Sequence, residues 1–99
     1  MVRGGCIYIM TNKHHTTIYV GVTSDLVSRI LEHREGVYPK SFTARYNLHK
    51  LVYFEKFSSI EEAIDREKQL KGGSRQKKID LIKGMNPDWK DLYEDIKRW

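Results

Sequence analysis

At 99 residues, the chain is long enough for a single domain spanning residues 1–99 with one hydrophobic core, and too short for a second. Its 39% apolar content is enough for a core, and 31% charged residues is somewhat above average for a soluble domain. The lone Cys6 excludes an intramolecular disulfide and a cysteine zinc cluster, and no apolar run approaches membrane-spanning or signal-peptide character, so the expected setting is cytoplasmic with no membrane partner. Eighteen Lys and Arg against 13 Asp and Glu give a net charge of +5. That balance suits a polyanionic partner such as nucleic acid, though small basic proteins are also common without one.

The first element is a hairpin. Gly5 to Met10 and Thr17 to Val22 are short apolar runs around a polar turn, and each alternates with a period of two. Ile7 and Ile9 share a face with Ile18, Val20 and Val22. The opposite face then carries Tyr8 and Tyr19, with Gly21 leaving open space beside Tyr19. Tyrosines suit half-buried strands, so spacing alone favours packing over chemistry for the two phenols.

Thr23-Ser24-Asp25 starts a helix that runs to Glu35 and stops at Gly36. Leu26, Val27, Ile30 and Leu31 form its apolar face, and Arg29 and His33, four residues apart, stack on one flank. Residues 37–48 read as a loop in which Tyr38, Phe42 and Tyr46 alternate with Lys40 and Arg45. Such interleaving fits a nucleic-acid surface, where cations meet phosphates and rings stack on bases. It equally fits a loop tacked to the core by Phe42 or Tyr46.

Residues 50–57 are rich in β-formers and supply the third strand. Ser58 and Ser59 stand three residues before Glu61 and Glu62, a capping-box spacing that begins a helix over 59–71. Its buried stripe is Ile60, Ala63, Ile64 and Leu70, and Glu67 falls on that stripe. A carboxylate there needs compensation, from a buried cation or from a bound Mg²⁺ or Mn²⁺. A third helix covers 74–83 and ends at Gly84. After the turn at Asn86-Pro87, Asp88 caps a last helix, 88–98, whose Trp89, Leu92, Tyr93 and Ile96 form a docking face. From Lys68 to Lys78 the chain carries Lys68, Lys71, Arg75, Lys77 and Lys78 with no acidic residue. The fold class expected is therefore α/β of the α+β type: a small, mainly antiparallel three-stranded sheet (5–10, 17–22, 50–57) flanked by four helices (24–35, 59–71, 74–83, 88–98).

In order and spacing these residues resemble the GIY-YIG nuclease family. The first tripeptide stands here as Cys6-Ile7-Tyr8, the second as Tyr19-Val20-Gly21. Arg29 lies ten residues past the second tyrosine, His33 one turn later, and Glu67 on a later helix is followed by Lys68. The segment Asn86 to Leu92 is similar to the end of small stand-alone members related to the N-terminal nuclease domain of the UvrC repair protein. Cys6 and Val20 depart from the family's Gly and Ile.

The resemblance implies a GIY-YIG endonuclease fold and divalent-metal-dependent hydrolysis of DNA phosphodiesters with low sequence specificity, in repair or recombination, leaving 5′-phosphate and 3′-hydroxyl ends. It implies Tyr8, Tyr19, Arg29, His33 and Glu67 as catalytic residues, Glu67 as the ligand of Mg²⁺ or Mn²⁺, and Gly21, Lys68 and Asn86 as supports. Lys68, His33, Arg29 or the metal would assist Tyr8, since a free phenol is a poor base near neutral pH. Lys40, Arg45, Lys71, Arg75, Lys77 and Lys78 are the expected nucleic-acid contacts, with structured or branched DNA, or RNA, as partner. A catalytically weak binding module of the same fold, acting with a partner, is the alternative. No motif specifies an oligomeric state.

Overall fold

The computed structural model describes residues 4–99. Three strands, β1 (Gly5–Thr11), β2 (Ile18–Thr23) and β3 (Lys50–Phe57), form one antiparallel sheet in the order β2-β1-β3. The expected α+β architecture is present, with the hairpin's first strand in the centre. The turn between β1 and β2 is held by Asn12, whose Oδ1 accepts from the backbone N–H groups of Thr16 and Thr17 at 2.9 and 3.1 Å.

Among the described residues five helices flank the sheet: α1 (Leu26–Glu35), α2 (Phe42–Arg45), α3 (Ile60–Lys71), α4 (Arg75–Met85) and α5 (Tyr93–Ile96). The starts of α1 and α3 follow from local chemistry. Asp25 accepts from Ser28 N–H at α1, and Ser59 from Glu62 N–H at α3. Gly36 ends α1 in the left-handed region at φ 66°.

Three boundaries differ from expectation. The stretch 37–48 is not all loop: Ser41 caps the single turn α2. Thr43 and Leu48 anchor this segment, while Phe42 and Tyr46 stay exposed. Helix α4 passes through Gly84, because an exposed glycine weakens a helix by only about 1 kcal/mol. It ends before Pro87, which forces Asn86 out of helical geometry. The last helix is the short α5, and Asp88 does not cap it. Residues 86–92 instead run irregularly, with Asp91 accepting from Leu51 N–H and Tyr93 N–H.

Both faces of the sheet are covered, which corrects the expectation of one core. Ile7, Ile9, Val20, Val52 and Tyr53 pack with Ala63, Leu70 and Ile82 from α3 and α4. On the other face Cys6, Tyr8 and Met10 pack with Leu26 and Ile30 of α1, Leu48, Leu51, Leu92 and Ile96. A three-stranded sheet lets a short chain bury two thin layers, one on each side. A bulge interrupts the β1–β3 pairing, since Ile9 pairs with Tyr53 and Met10 with Leu51, leaving Val52 without a partner. Val52 and Tyr53 therefore share one face. On α1 the buried positions are Leu26, Ile30 and His33, while Leu31 is 40% exposed. No helix among the described residues is long and apolar enough to cross a membrane.

Candidate active site

The site forms where the free edge of β2 meets α1 and the C-terminal half of α3. Tyr8 projects from the central strand and is 2% exposed. Register places Tyr8 directly opposite Gly21 and Tyr19 opposite Met10. The space at Gly21 is therefore filled, not open: a Cβ there would lie 2.3 Å from Tyr8 Cζ and 2.4 Å from its hydroxyl oxygen. Glycine is required because the Tyr8 ring crosses the neighbouring strand to reach the sheet edge. Tyr19 lies beside it, with ring centroids 6.3 Å apart.

Helix α1 delivers the next two groups. His33 Nε2 is 2.9 Å from the Tyr8 hydroxyl, and its Nδ1 is 2.7 Å from Thr43 Oγ1. Both hydrogen bonds are buried. Burial, followed by the charge of Arg29, holds the His33 pKa below the ordinary imidazole value, with Glu32 opposing. Burial pushes the Tyr8 phenol well above its ordinary value; Tyr19, Glu32 and Glu67 add to this and Arg29 opposes it. Tyr8 and His33 are thus both neutral near pH 7. Arg29 lies one turn before His33, with its Nε 3.5 Å from Glu32 Oε1. That Nε is buried and has no hydrogen-bond partner. The Arg29 side chain is 41% exposed.

Glu67 comes from α3. It is not sealed in the core: its side chain is 16% exposed, on a helix that packs against the face of the sheet opposite Tyr8. Lys71, one turn on, compensates it, with Nζ 3.0 Å from Glu67 Oε2 and 5.5 Å from the Tyr19 ring centroid. No group of three or more His, Cys, Asp or Glu among the described residues is placed to hold a metal by itself. A single carboxylate still fits Mg²⁺ or Mn²⁺ chemistry, because such ions take one or two carboxylates and complete their shell with water and phosphate oxygens.

Of the expected site residues, the fold gathers Tyr8, Tyr19, Arg29, His33, Glu67 and Gly21. Lys68 is exposed, and it is His33 that touches the Tyr8 hydroxyl. Asn86 does not join the group. It is 2% exposed and clamps the chain, donating to the carbonyls of Val52 and Lys90 and accepting from Lys90 N–H. Thr43, which sequence reasoning placed only in the loop, is the missed member. No local pattern marks it: it points inward from the first turn of α2, which the sequence reads as loop.

Basic side chains surround the group unequally. Lys71, Arg75 and Lys78 line a cleft of about 250 Å³ with Ile18, Tyr19 and Val20. Arg75 is tied to the β1–β2 turn through the Thr16 carbonyl at 3.1 Å, and Lys78 Nζ to the Gly73 carbonyl at 3.0 Å. Lys40, Arg45 and Lys77 are exposed. Phe42 continues the aromatic edge, stacked on Tyr19 with centroids 5.8 Å apart and tilted against Tyr46 at 4.7 Å.

The family model described as the GIY-YIG catalytic domain matches residues 4–80. A UPF0213 protein of Staphylococcus saprophyticus is 40% identical over 76 residues, covering 77% of this chain and 90% of the relative. Another, from Syntrophus aciditrophicus, is 38% identical over 72 residues, covering 73% and 82%. The solution NMR structure of a UPF0213 protein from Bacillus halodurans superposes with a TM-score of 0.55 at 31% identity, over 89% of this chain and 92% of that one. With two tyrosines, an arginine, a histidine and a glutamate gathered at one sheet edge, and with these matches along most of its length, the chain belongs to the GIY-YIG nuclease family.

Proposed function

We propose that this protein is a divalent-metal-dependent endonuclease that hydrolyses DNA phosphodiester bonds with low sequence specificity. The observation that carries the reading is the buried Tyr8–His33 hydrogen bond one helical turn from Arg29, with Glu67 and its partner Lys71 at the neighbouring Tyr19. Tyr8 takes a proton from the attacking water as its own hydroxyl proton passes to His33 Nε2. This relay explains how a phenol with a raised pKa serves as a base: it never has to exist as a free phenolate. Arg29 presents its guanidinium to the non-bridging phosphate oxygens, where a preorganised cation is most effective. Tyr19 orients the water or a phosphate oxygen. Glu67 would hold Mg²⁺ or Mn²⁺, which when bound polarises the phosphate and stabilises the leaving 3′ oxygen. Lys71 then exchanges its partner from Glu67 to the nucleic-acid backbone. Repair or recombination of structured DNA is the setting we assign by resemblance.

A second reading rests on one contact. The Glu67–Lys71 pair neutralises the carboxylate without a metal, as would suit a nucleic-acid-binding module that does not cut. Supercoiled plasmid, branched DNA, single strands and RNA, each incubated with Mg²⁺ or Mn²⁺ against EDTA, separate the two. Metal-dependent cutting that Glu67→Ala and Arg29→Ala each lower by at least about a hundredfold supports the enzyme. DNA shifted on a gel, yet left equally intact by wild type and Glu67→Ala, supports the binding module.

A further inference from the structure

The geometry points to Thr43 as a positioning residue that fixes His33 in the Nδ1–H tautomer and so keeps Nε2 free to accept the Tyr8 hydroxyl proton. The inference deepens the reading of Tyr8 as the group that meets water and rests on it.

The argument begins with Tyr8. Its hydroxyl is buried, and His33 Nε2 is its one hydrogen-bond partner among the described residues. A buried hydroxyl hydrogen with no acceptor costs about 1–3 kcal/mol. The phenol therefore donates, and Nε2 must be the unprotonated nitrogen. A neutral imidazole then carries its proton on Nδ1, which faces Thr43 Oγ1 at 2.7 Å. Thr43 is 1% exposed, and Ser41 completes the chain. Ser41 Oγ lies 3.2 Å from Thr43 Oγ1 and accepts from Ala44 N–H. The Thr43 hydroxyl can give its own hydrogen to Ser41 and turn a lone pair towards His33. Reversing every bond in the chain leaves the Tyr8 hydrogen without an acceptor among the described residues, so the first direction is the one that satisfies Tyr8, His33 and Thr43 together.

The consequence is directional. When water gives its proton to the Tyr8 oxygen and forms its bond to phosphorus, as the bond from phosphorus to the leaving 3′ oxygen breaks, the original Tyr8 proton moves to Nε2. His33 becomes an imidazolium whose Nδ1–H stays on Thr43. The opposite tautomer would present Nε2–H to Tyr8 and block that transfer. Partners that orient a metal-bound histidine from behind typically cost about tenfold to a hundredfold in activity when removed, and the same scale is expected for the proton-accepting His33.

Long-range ¹H–¹⁵N spectra of the His33 ring, assigned with His33→Gln, read the tautomer without DNA or metal. Wild type is expected to show a protonated Nδ1 and an unprotonated Nε2 near neutral pH. Thr43→Val, nearly isosteric, is expected to raise the Nε2–H population and to lower kcat by about tenfold to a hundredfold with KM unchanged. Thr43→Ser restores both. A wild-type ring protonated on Nε2 overturns the inference, as does a Thr43→Val protein that keeps the Nδ1–H form and full kcat. If Thr43→Val does not fold, the wild-type tautomer alone decides. Absence of cleavage by wild type would remove the nuclease reading while leaving the ring measurement to decide Thr43.

Discussion

Gly21 faces Tyr8 across the β1–β2 ladder, and the missing side chain is what lets the phenol lie over the neighbouring strand. Gly21→Ala puts a methyl group where the ring stands, and Tyr8 is held by core packing and by His33, so it has little room to move. The expected cost is about 1–3 kcal/mol of stability from overpacking, measured by urea denaturation, together with loss of cleavage as the Tyr8–His33 bond is broken. His33 predicts a pH dependence. Tyr8, Tyr19 and Thr43 face it from β1, β2 and α2, and Arg29 and Glu32 from its own helix. Its folded pKa lies below the value of about 6.5 in the unfolded chain. Between those two values the unfolded state binds more protons, so stability falls as pH drops through this window. Thermal melts from about pH 7.5 to about pH 5 should show a decline that His33→Gln reduces.

At the scale of elements, β3 is not regular. The bulge at Val52 puts Val52 and Tyr53 on the same face, and the Asn86 amide donates to the Val52 carbonyl while bonding Lys90 twice. Asn86→Ala removes all three bonds and leaves buried backbone groups unpaired. It should cost about 1–3 kcal/mol in denaturant melts, with NMR shift changes concentrated near Val52 and Lys90 and not at His33. A larger change at Tyr8 or His33 than at Val52 would place Asn86 in the site after all. Helix α1 and the single turn α2 act as a pair, because His33 bonds across from one to the other. A segment that reads as loop thereby becomes the outer wall of the site.

Across the whole molecule, the excess of positive charge divides into bound and available cations. Arg75 and Lys78 are engaged with backbone carbonyls, whereas Lys77 is exposed at the start of α4. If Lys77 meets phosphate, Lys77→Ala weakens DNA binding equally for all sequences. It also reduces the slope of log K against log salt by about 0.9. Fluorescence anisotropy over a salt series measures this, and an unchanged slope would place the DNA path elsewhere. Arg75→Ala is expected to act differently, by loosening the β1–β2 turn it holds.

The sequence by itself determined the elements whose signals are local. Asp25, Ser59, Gly36 and the period-two hairpin each fix a boundary through hydrogen bonds or backbone conformation within a few residues. It also marked Glu67, because an acid on an apolar stripe is legible as spacing, whereas Tyr8, Tyr19, Arg29 and His33 stood out only through the resemblance to a known family. Only the tertiary structure decided that Gly21 makes room for Tyr8, that Asn86 serves a bulge, that the sheet is covered on both sides, and that Thr43 stands behind His33. Each of these is a contact between residues at least ten positions apart. Such contacts depend on strand register and on which way a helix rolls against a sheet, and no local pattern of residue types carries that information.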